Sequence, residues 1–336
     1  MDVDFSGKGI NGLYNISNSC YINTSLQCIG HCTSFLKFVL GCRFDEGLVI
    51  EELRQIFHAL WVDDHGIIPN RFLRHLRVCI TEIDIQEQND MHEFITLLID
   101  KINRCIAQKI DVEGIMEETH YTDAAYDKLR RKIDKSWFRF VGNEYSRVID
   151  FFYGQHVSQI LCGKCKKIHQ NYEPFSVFLV PIPQTDCKLE DCLHHHLSEE
   201  YLNDRSTDSD NVDWRCDGCM TTTKSLKTMK FWRLPSVLTI CLKRFTHDFK
   251  KNNALVDVPD ELDMTEYVIG PTPHKRYALR SVGCHIGNFR NGHYYALCKN
   301  PNGKWHRMDD TNISEMEDIH PVHNAYVAFY EAVQSS

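Results

Sequence analysis

Gly12-Leu-Tyr-Asn-Ile-Ser-Asn-Ser-Cys20-Tyr-Ile-Asn-Thr-Ser-Leu-Gln27 joins a loop of small polar residues to a helix whose apolar positions are Ile22, Leu26 and Ile29. A thiol at the start of a helix meets unpaired N–H groups and the positive end of the dipole, and both stabilise a thiolate. Asn15, five residues before Cys20, can aim its amide at the same place. It is an oxyanion donor if Cys20 attacks a carbonyl, and a turn residue if Cys20 does not.

A cysteine nucleophile needs a base. Of the histidines, the run His194-His195-His196 reads as a solvated or capping stretch, whereas His293 has a better context. Gly287 and Asn291-Gly292 precede it, and the strand-like His293-Tyr-Tyr-Ala-Leu-Cys298 follows, a loop delivering a side chain to a rigid element. After an Asn302-Gly303 turn comes Trp305-His-Arg-Met-Asp309-Asp310. A hairpin about that turn brings Asp309 beside His293 as the third member of a triad. Side chains alternate along a strand, so Asp310 then faces away and can reach the cysteine side through a water or the oxyanion region.

Working outward, the front of the chain is helical in pattern. Helical stripes run through Val49, Leu53, Ile56, Phe57 and Leu60, through Phe72, Leu73 and Leu76 with Pro69 in the first turn, and through Met91, Phe94, Ile95, Leu98, Ile102 and Ile106. Residues 109–147 are charged and weakly patterned, with one helix expected over Ala124 to Ile133. From about residue 148 short β-branched and aromatic runs take over: Phe175 to Val180, Val237 to Leu242, Tyr277 to Val282, His293 to Cys298 and Tyr326 to Tyr330. Asn203 to Asp213 reads as an acidic solvated loop. A helical front and a β-rich back without βα alternation define an α+β fold.

The net charge of −8 excludes a general nucleic-acid binder that relies on phosphate neutralisation. No stretch approaches the ~18 apolar residues of a membrane span. The acidic Met1-Asp2-Val3-Asp4 is unlike a secretory signal. Fifteen scattered cysteines, an odd number, fit reduced thiols or ligands better than a disulfide framework. These features predict an intracellular protein, cytoplasmic or nuclear. Four of the cysteines form two C-x-x-C knuckles, Cys162-Gly-Lys-Cys165 and Cys216-Asp-Gly-Cys219. Two such turns complete a tetrahedral, structural zinc site, one ion per chain, provided the intervening strands make a hairpin-like excursion. Trp214 and His169 nearby read as packing and surface residues.

The Cys20 segment resembles the cysteine box of the ubiquitin-specific proteases, Gly-Leu-x-Asn-x-Gly-Asn-Thr-Cys-Tyr-x-Asn-Ser-x-Leu-Gln. Tyr277 to Asp310 resembles that family's histidine box. Gln88-Asn-Asp90-Met-His-Glu93-Phe94 and Leu234-Pro-Ser-Val-Leu-Thr-Ile-Cys-Leu-Lys243-Arg244-Phe245 are similar to two further boxes, in the family's order. The resemblance implies a papain-like deubiquitinase over residues 10–334. Its helical thumb is expected over about 10–147, zinc-bearing fingers and the start of the palm over about 148–245, and the palm with the histidine box over about 246–334. It makes Cys20 the nucleophile, His293 the base, Asp309 the third member and Asn15 the oxyanion donor. Asp90 takes the position of an aspartate that holds the arginine-rich tail of ubiquitin, and zinc belongs at the fingertip. Ubiquitin and ubiquitinated proteins are the expected partners. Ser17 stands where the pattern has glycine and Ser19 where it has threonine. If position 17 needs a positive φ, Ser17 strains the loop. The rival readings are a catalytically silent ubiquitin-binding module and a protease for another ubiquitin-like modifier.

Overall fold

The computed structural model describes residues 4–119, 121–122, 124–203, 214–246, 248, 250–289 and 291–333, without the side chains of 117 and 118. The expected loop at 203–213 falls almost wholly outside the described residues.

The front of the chain folds as the helical stripes dictate. Helices α1 (Cys20–Gly30), α2 (Thr33–Gly41), α3 (Val49–Trp61), α4 (Asn70–Cys79) and α5 (Met91–Ile106) pack their apolar faces into one core. Pro69 is the N-cap of α4, one position before the first turn. Asp90 caps α5, accepting from the N–H groups of His92 and Glu93.

Residues 108–152 depart from expectation. Strands β1 (Gln108–Lys109) and β2 (Glu144–Tyr145) pair and enclose two helices, α6 (Val112–Glu118) and α7 (Ala125–Val141), before α8 (Arg147–Phe152). The single helix expected at 124–133 is therefore corrected to two. Helix α7 runs two turns further because its far end finds partners outside the segment. Trp137 and Phe140 stack at 5.7 Å, Phe140 meets Tyr153 at 5.3 Å, and Ser136 donates to the Tyr172 carbonyl.

The back of the chain is β. Strands β3 (Gly154–Leu161) and β4 (Ile168–Phe175) form a hairpin, β5 (Phe178–Pro181) and β6 (Cys187–Lys188) follow, then α9 (Leu189–Leu197), β7 (Glu200–Leu202), β8 (Ser225–Arg233) and β9 (Val237–Lys243). One strand was expected over 175–180. Instead the chain leaves β4 at Phe175 and enters β5 at Phe178, because the two strands serve different sheets. The first sheet has the order β4-β3-β8-β7 and carries both cysteine knuckles at its far end, so the excursion between them exists.

Next come β10 (Val256–Asp257), β11 (Glu261–Asp263), β12 (Arg276–Gly287), β13 (Gly292–Lys299), β14 (Trp305–Asp309), β15 (Asn312–Met316) and β16 (Ala325–Ala332). The second sheet has eight strands in the order β15-β14-β13-β12-β16-β9-β5, with β11 on the side of β12. This is the α+β architecture the texture of the sequence predicts.

Helix α1 lies between the two halves. All of its residues are buried, and Ser281 of β12 donates to its Cys28 carbonyl at 3.0 Å. Gly283 lets α5 approach β12, since a Cβ there would stand 2.5 Å from the Met91 side chain. Arg244, almost fully buried, ties β9 to the Ala325, Asn252 and Ala254 carbonyls. That clamp sets the next residue, Phe245, against Tyr326 and His285 on the wall of the site.

Candidate active site

Cys20 is the first residue of α1, where the N–H groups of the opening turn have no partners within the helix. The preceding loop is sewn in place at Gly12: Ile67 N–H donates to the Gly12 carbonyl, and Leu13 N–H donates to the Asp310 carbonyl. A Cβ on Gly12 would lie 2.6 Å from the Thr311 backbone, so only glycine fits. Asn15 Oδ1 accepts from the Ser19 N–H at 3.0 Å and its hydroxyl at 3.2 Å, while the hydroxyl also accepts from Ile16 N–H. Serine at 19 thus supplies the contacts that a hydroxyl must make there. Ser17 has φ +50° and Asn18 φ +64°. Position 17 does take the left-handed conformation that favours glycine, and a serine held there costs about 1 kcal/mol. Ser17→Gly is expected to raise stability by about 0.5–1 kcal/mol, after the extra chain entropy of glycine, seen as a higher melting temperature.

His293 and Asp309 meet as the register requires. Strands β13 and β14 pair Ala296 with Met308, which puts His293, Tyr295, Arg307 and Asp309 on one face. His293 Nε2 lies 2.7 Å from Asp309 Oδ1, and Arg307 Nη2 donates to Asp309 Oδ2 at 2.7 Å. Burial raises the Asp309 pKa, but the bonds from His293 and Arg307 outweigh it and hold the carboxyl below its usual range. The neighbouring Cys20 side chain raises the His293 imidazole pKa; burial opposes this, Asp309 adds to it, and the result is about 9. The folded pKa lies above the unfolded ~6.5. This contribution to stability is complete below pH ~6.5 and is lost as pH rises through about 9. His285, also in the cleft, is pushed down to about 4 by burial and by Lys251, so it stays neutral and is no rival base.

Asp310, at φ +52°, keeps a carboxylate oxygen within 4.8 Å of the His293 ring but spends its hydrogen bonds elsewhere. Its Oδ2 accepts from Asn15 Nδ2 at 2.9 Å and its Oδ1 from Asn23 Nδ2 at 2.8 Å. The contact with the oxyanion side is therefore direct and needs no water. Asn23 was not singled out in the sequence, although it stands one turn after Cys20 on the same helix.

A cleft leads away from Cys20 between Gln88, Asp90 and Glu93 on one side and Phe245, His285 and Gly292 on the other. Asp90 lies on its wall, but its oxygens are engaged, one by the α5 cap and the other by the Tyr326 hydroxyl. Glu93 beside it is exposed. The histidine run 194–196 ends α9, where Ser198 bonds the His194 carbonyl and His196 packs on Phe178, so it makes no site.

At the far end of the first sheet the sulfurs of Cys162 and Cys219 are 3.8 Å apart and those of Cys165 and Cys216 3.6 Å apart, all four within 4.8 Å of one another. Zinc–sulfur bonds of ~2.3 Å in a tetrahedron require edges of about 3.8 Å, so the four residues fit such an ion. Each knuckle is closed by backbone bonds, Lys166 N–H to the Cys162 carbonyl and Cys216 N–H to the Thr221 carbonyl. Trp214 packs as expected. His169 does more than occupy the surface: its Nε2 is 3.3 Å from Cys216 Sγ.

A thiol at a helix start, with an imidazole, a carboxylate and an amide gathered near one end of a cleft between helices and a sheet, is the side-chain set carried by the papain-like cysteine peptidase fold. The chain belongs to the ubiquitin carboxyl-terminal hydrolase family, whose sequence model matches residues 11–330. Ubiquitin carboxyl-terminal hydrolase Usp2 of Drosophila melanogaster is 29% identical over 98% of this chain and 35% of its own length. Ubiquitin carboxyl-terminal hydrolase 5 of Saccharomyces cerevisiae is 29% identical over 99% of the chain and 45% of its own length. The chain thus spans less than half of either relative. In solved structures, the yeast SAGA DUB module contains a chain that superposes with a TM-score of 0.73 at 24% identity, covering 99% of this chain and 71% of that one. The Ubp8/Sgf11/Sus1/Sgf73 DUB module bound to ubiquitin aldehyde gives 0.72 at 22% identity, over 99% and 72%. These structures share the fold. Among the described residues no helix is long and apolar enough to cross a membrane.

Proposed function

We propose that this chain is a thiol-dependent ubiquitin hydrolase that cleaves the bond after ubiquitin's C-terminal Gly-Gly. The observation that carries the reading is the direct 2.7 Å contact of His293 with Asp309, on an imidazole whose pKa is raised by the neighbouring Cys20 at the cleft's end. Cys20 sulfur attacks the scissile carbonyl carbon. The oxyanion is met by the free hydrogen of the Asn15 amide, whose other hydrogen is held by Asp310. As the C–N bond breaks, His293 gives its proton to the leaving amine. His293 then takes a proton from water, which attacks the thioester and frees Cys20. Asp90 and Glu93 suit the basic tail of ubiquitin, Glu93 as the more accessible carboxylate. An intracellular setting fits a chain whose fifteen cysteines are all unpaired.

The test is a panel of C-terminal propargyl probes built on several ubiquitin-like proteins. The ubiquitin probe is expected to label Cys20. Labelling by a different modifier alone transfers the reading to that modifier, and no labelling at all makes the chain a binding module.

Cys162, Cys165, Cys216 and Cys219 hold a structural zinc, with no position left for substrate. The ion would clamp β3–β4 to β8 at the fingertip, where ubiquitin's globular body rests. Structural zinc carries ~10–16 kcal/mol of apparent binding free energy in small fingers. Cys162→Ser or Cys219→Ser is expected to unfold this tip. The kcat/KM for a ubiquitin substrate should fall about tenfold, ~1.4 kcal/mol of lost contact. Hydrolysis of a small thiol-reactive ester should hold. Metal analysis should give about one zinc per chain, and a fully active zinc-free preparation would remove the assignment.

A further inference from the structure

We propose that His169 and Asp217 form an outer shell of the zinc site, in which His169 Nε2–H donates to the Cys216 sulfur and slows release of the ion. This rests on the reading of the four cysteines as zinc ligands.

The ring is held from both sides. Nε2 stands 3.3 Å from Cys216 Sγ, and Nδ1 stands 3.3 Å from Asp217 Oδ1. Asp217 is itself fixed by Lys167 Nζ at 3.0 Å. Trp214 meets the imidazole edge-on at 5.1 Å, and Asn203 fixes Trp214 by accepting from its N–H and donating to its carbonyl. A half-buried histidine without a task would not be confined between a carboxylate and an indole. Gly218 N–H also donates to the Cys216 sulfur, at 3.3 Å, so this sulfur has two donors.

The chemistry follows from charge. Four thiolates around a divalent cation leave two negative charges on the sulfurs. A metal-bound thiolate leaves its ion when it is protonated or attacked by an electrophile, and both depend on electron density at sulfur. An N–H donor draws that density away without breaking the metal bond. Cys165 is exposed, so solvent reaches this site and such protection has a purpose. Partners of metal ligands are commonly worth 10–100-fold in metal affinity.

The experiment measures zinc transfer from the loaded chain to a chromophoric chelator. His169→Phe keeps the ring against Trp214 and removes the donor, and is expected to release zinc about 10–100-fold faster. Asp217→Asn changes only a largely exposed carboxylate, so folding is not at stake, and release should quicken by a few-fold. Unchanged release in Asp217→Asn together with wild-type release, or failure to fold, in His169→Phe overturns the proposal. Cobalt-substituted wild type is expected to show the absorption of four thiolate ligands, retained in His169→Phe. A three-thiolate spectrum would make His169 a ligand and overturn its outer placement. A wild-type chain with no bound zinc defeats the zinc reading itself, whereas loaded wild type and variants with equal rates defeat only the outer shell.

Discussion

Cys20→Ala is expected to lower turnover by roughly 10⁴ or more while ubiquitin affinity holds or rises. The sulfur is the only group at the end of the cleft that can form the acyl bond, and alanine keeps α1 intact because it is the best helix former. Neighbouring thiols cannot substitute. Cys28 on α1 and Cys32 at the start of α2 are fully buried, and burial pushes the Cys32 thiol well up. Loss of the thiolate also removes the first cause of the raised His293 pKa, so its titration should fall in the variant. Propargyl-ubiquitin labelling with intact-mass detection is the check; a probe adduct on Cys20→Ala ends the assignment of Cys20.

Asp309→Asn is expected to lower kcat/KM by roughly 10²–10⁴, by analogy with loss of the tautomer-fixing carboxylate in serine proteases. Its signature is a shift as well as a loss. The imidazolium of His293, with a pKa near 9, sets the alkaline limb of the rate profile. Removing a negative partner, with Arg307 left in place, lets that proton go more easily, so the limb moves to lower pH. Asp310→Asn is expected to be the milder change and to move the limb less, because Asp310 bonds Asn15 and Asn23 and only neighbours the imidazole. Parallel pH profiles on the two variants decide. If Asp310→Asn is the more damaging, holding the oxyanion amide matters more than holding the tautomer.

Much of this site was legible because its decisive residues sit in local patterns. Cys20 follows its own loop and opens its own helix, and His293 shares one hairpin with Asp309 and Asp310, of which alternation allows only one to meet it and the family resemblance picks Asp309. What was not legible joins distant residues. The bonds from Asp310 to Asn15 and Asn23 span 295 and 287 positions and depend on a left-handed turn at Asp310. The far end of helix α7 went unread because Ser136 and Phe140 find their partners beyond the segment, at Tyr172 and Tyr153, so no periodicity within it marked the end. His169 looked like any polar residue on a strand, since its neighbour Cys216 is brought to it only by the pairing of β3, β4 and β8. The commitment of Asp90 to Tyr326 had the same origin, a bond across 236 positions.

The thiol precedes its base by 293 − 20 = 273 positions, with α1 fitted against strands that are made long after it. A ribosome adding 5–20 residues per second needs tens of seconds to travel from Cys20 to His293. Through that interval the growing chain carries a cysteine with no proton acceptor, no oxyanion amide tied down and no finished cleft. A chain that has not reached Asp309 therefore lacks a complete triad, and so does any product of termination before that residue.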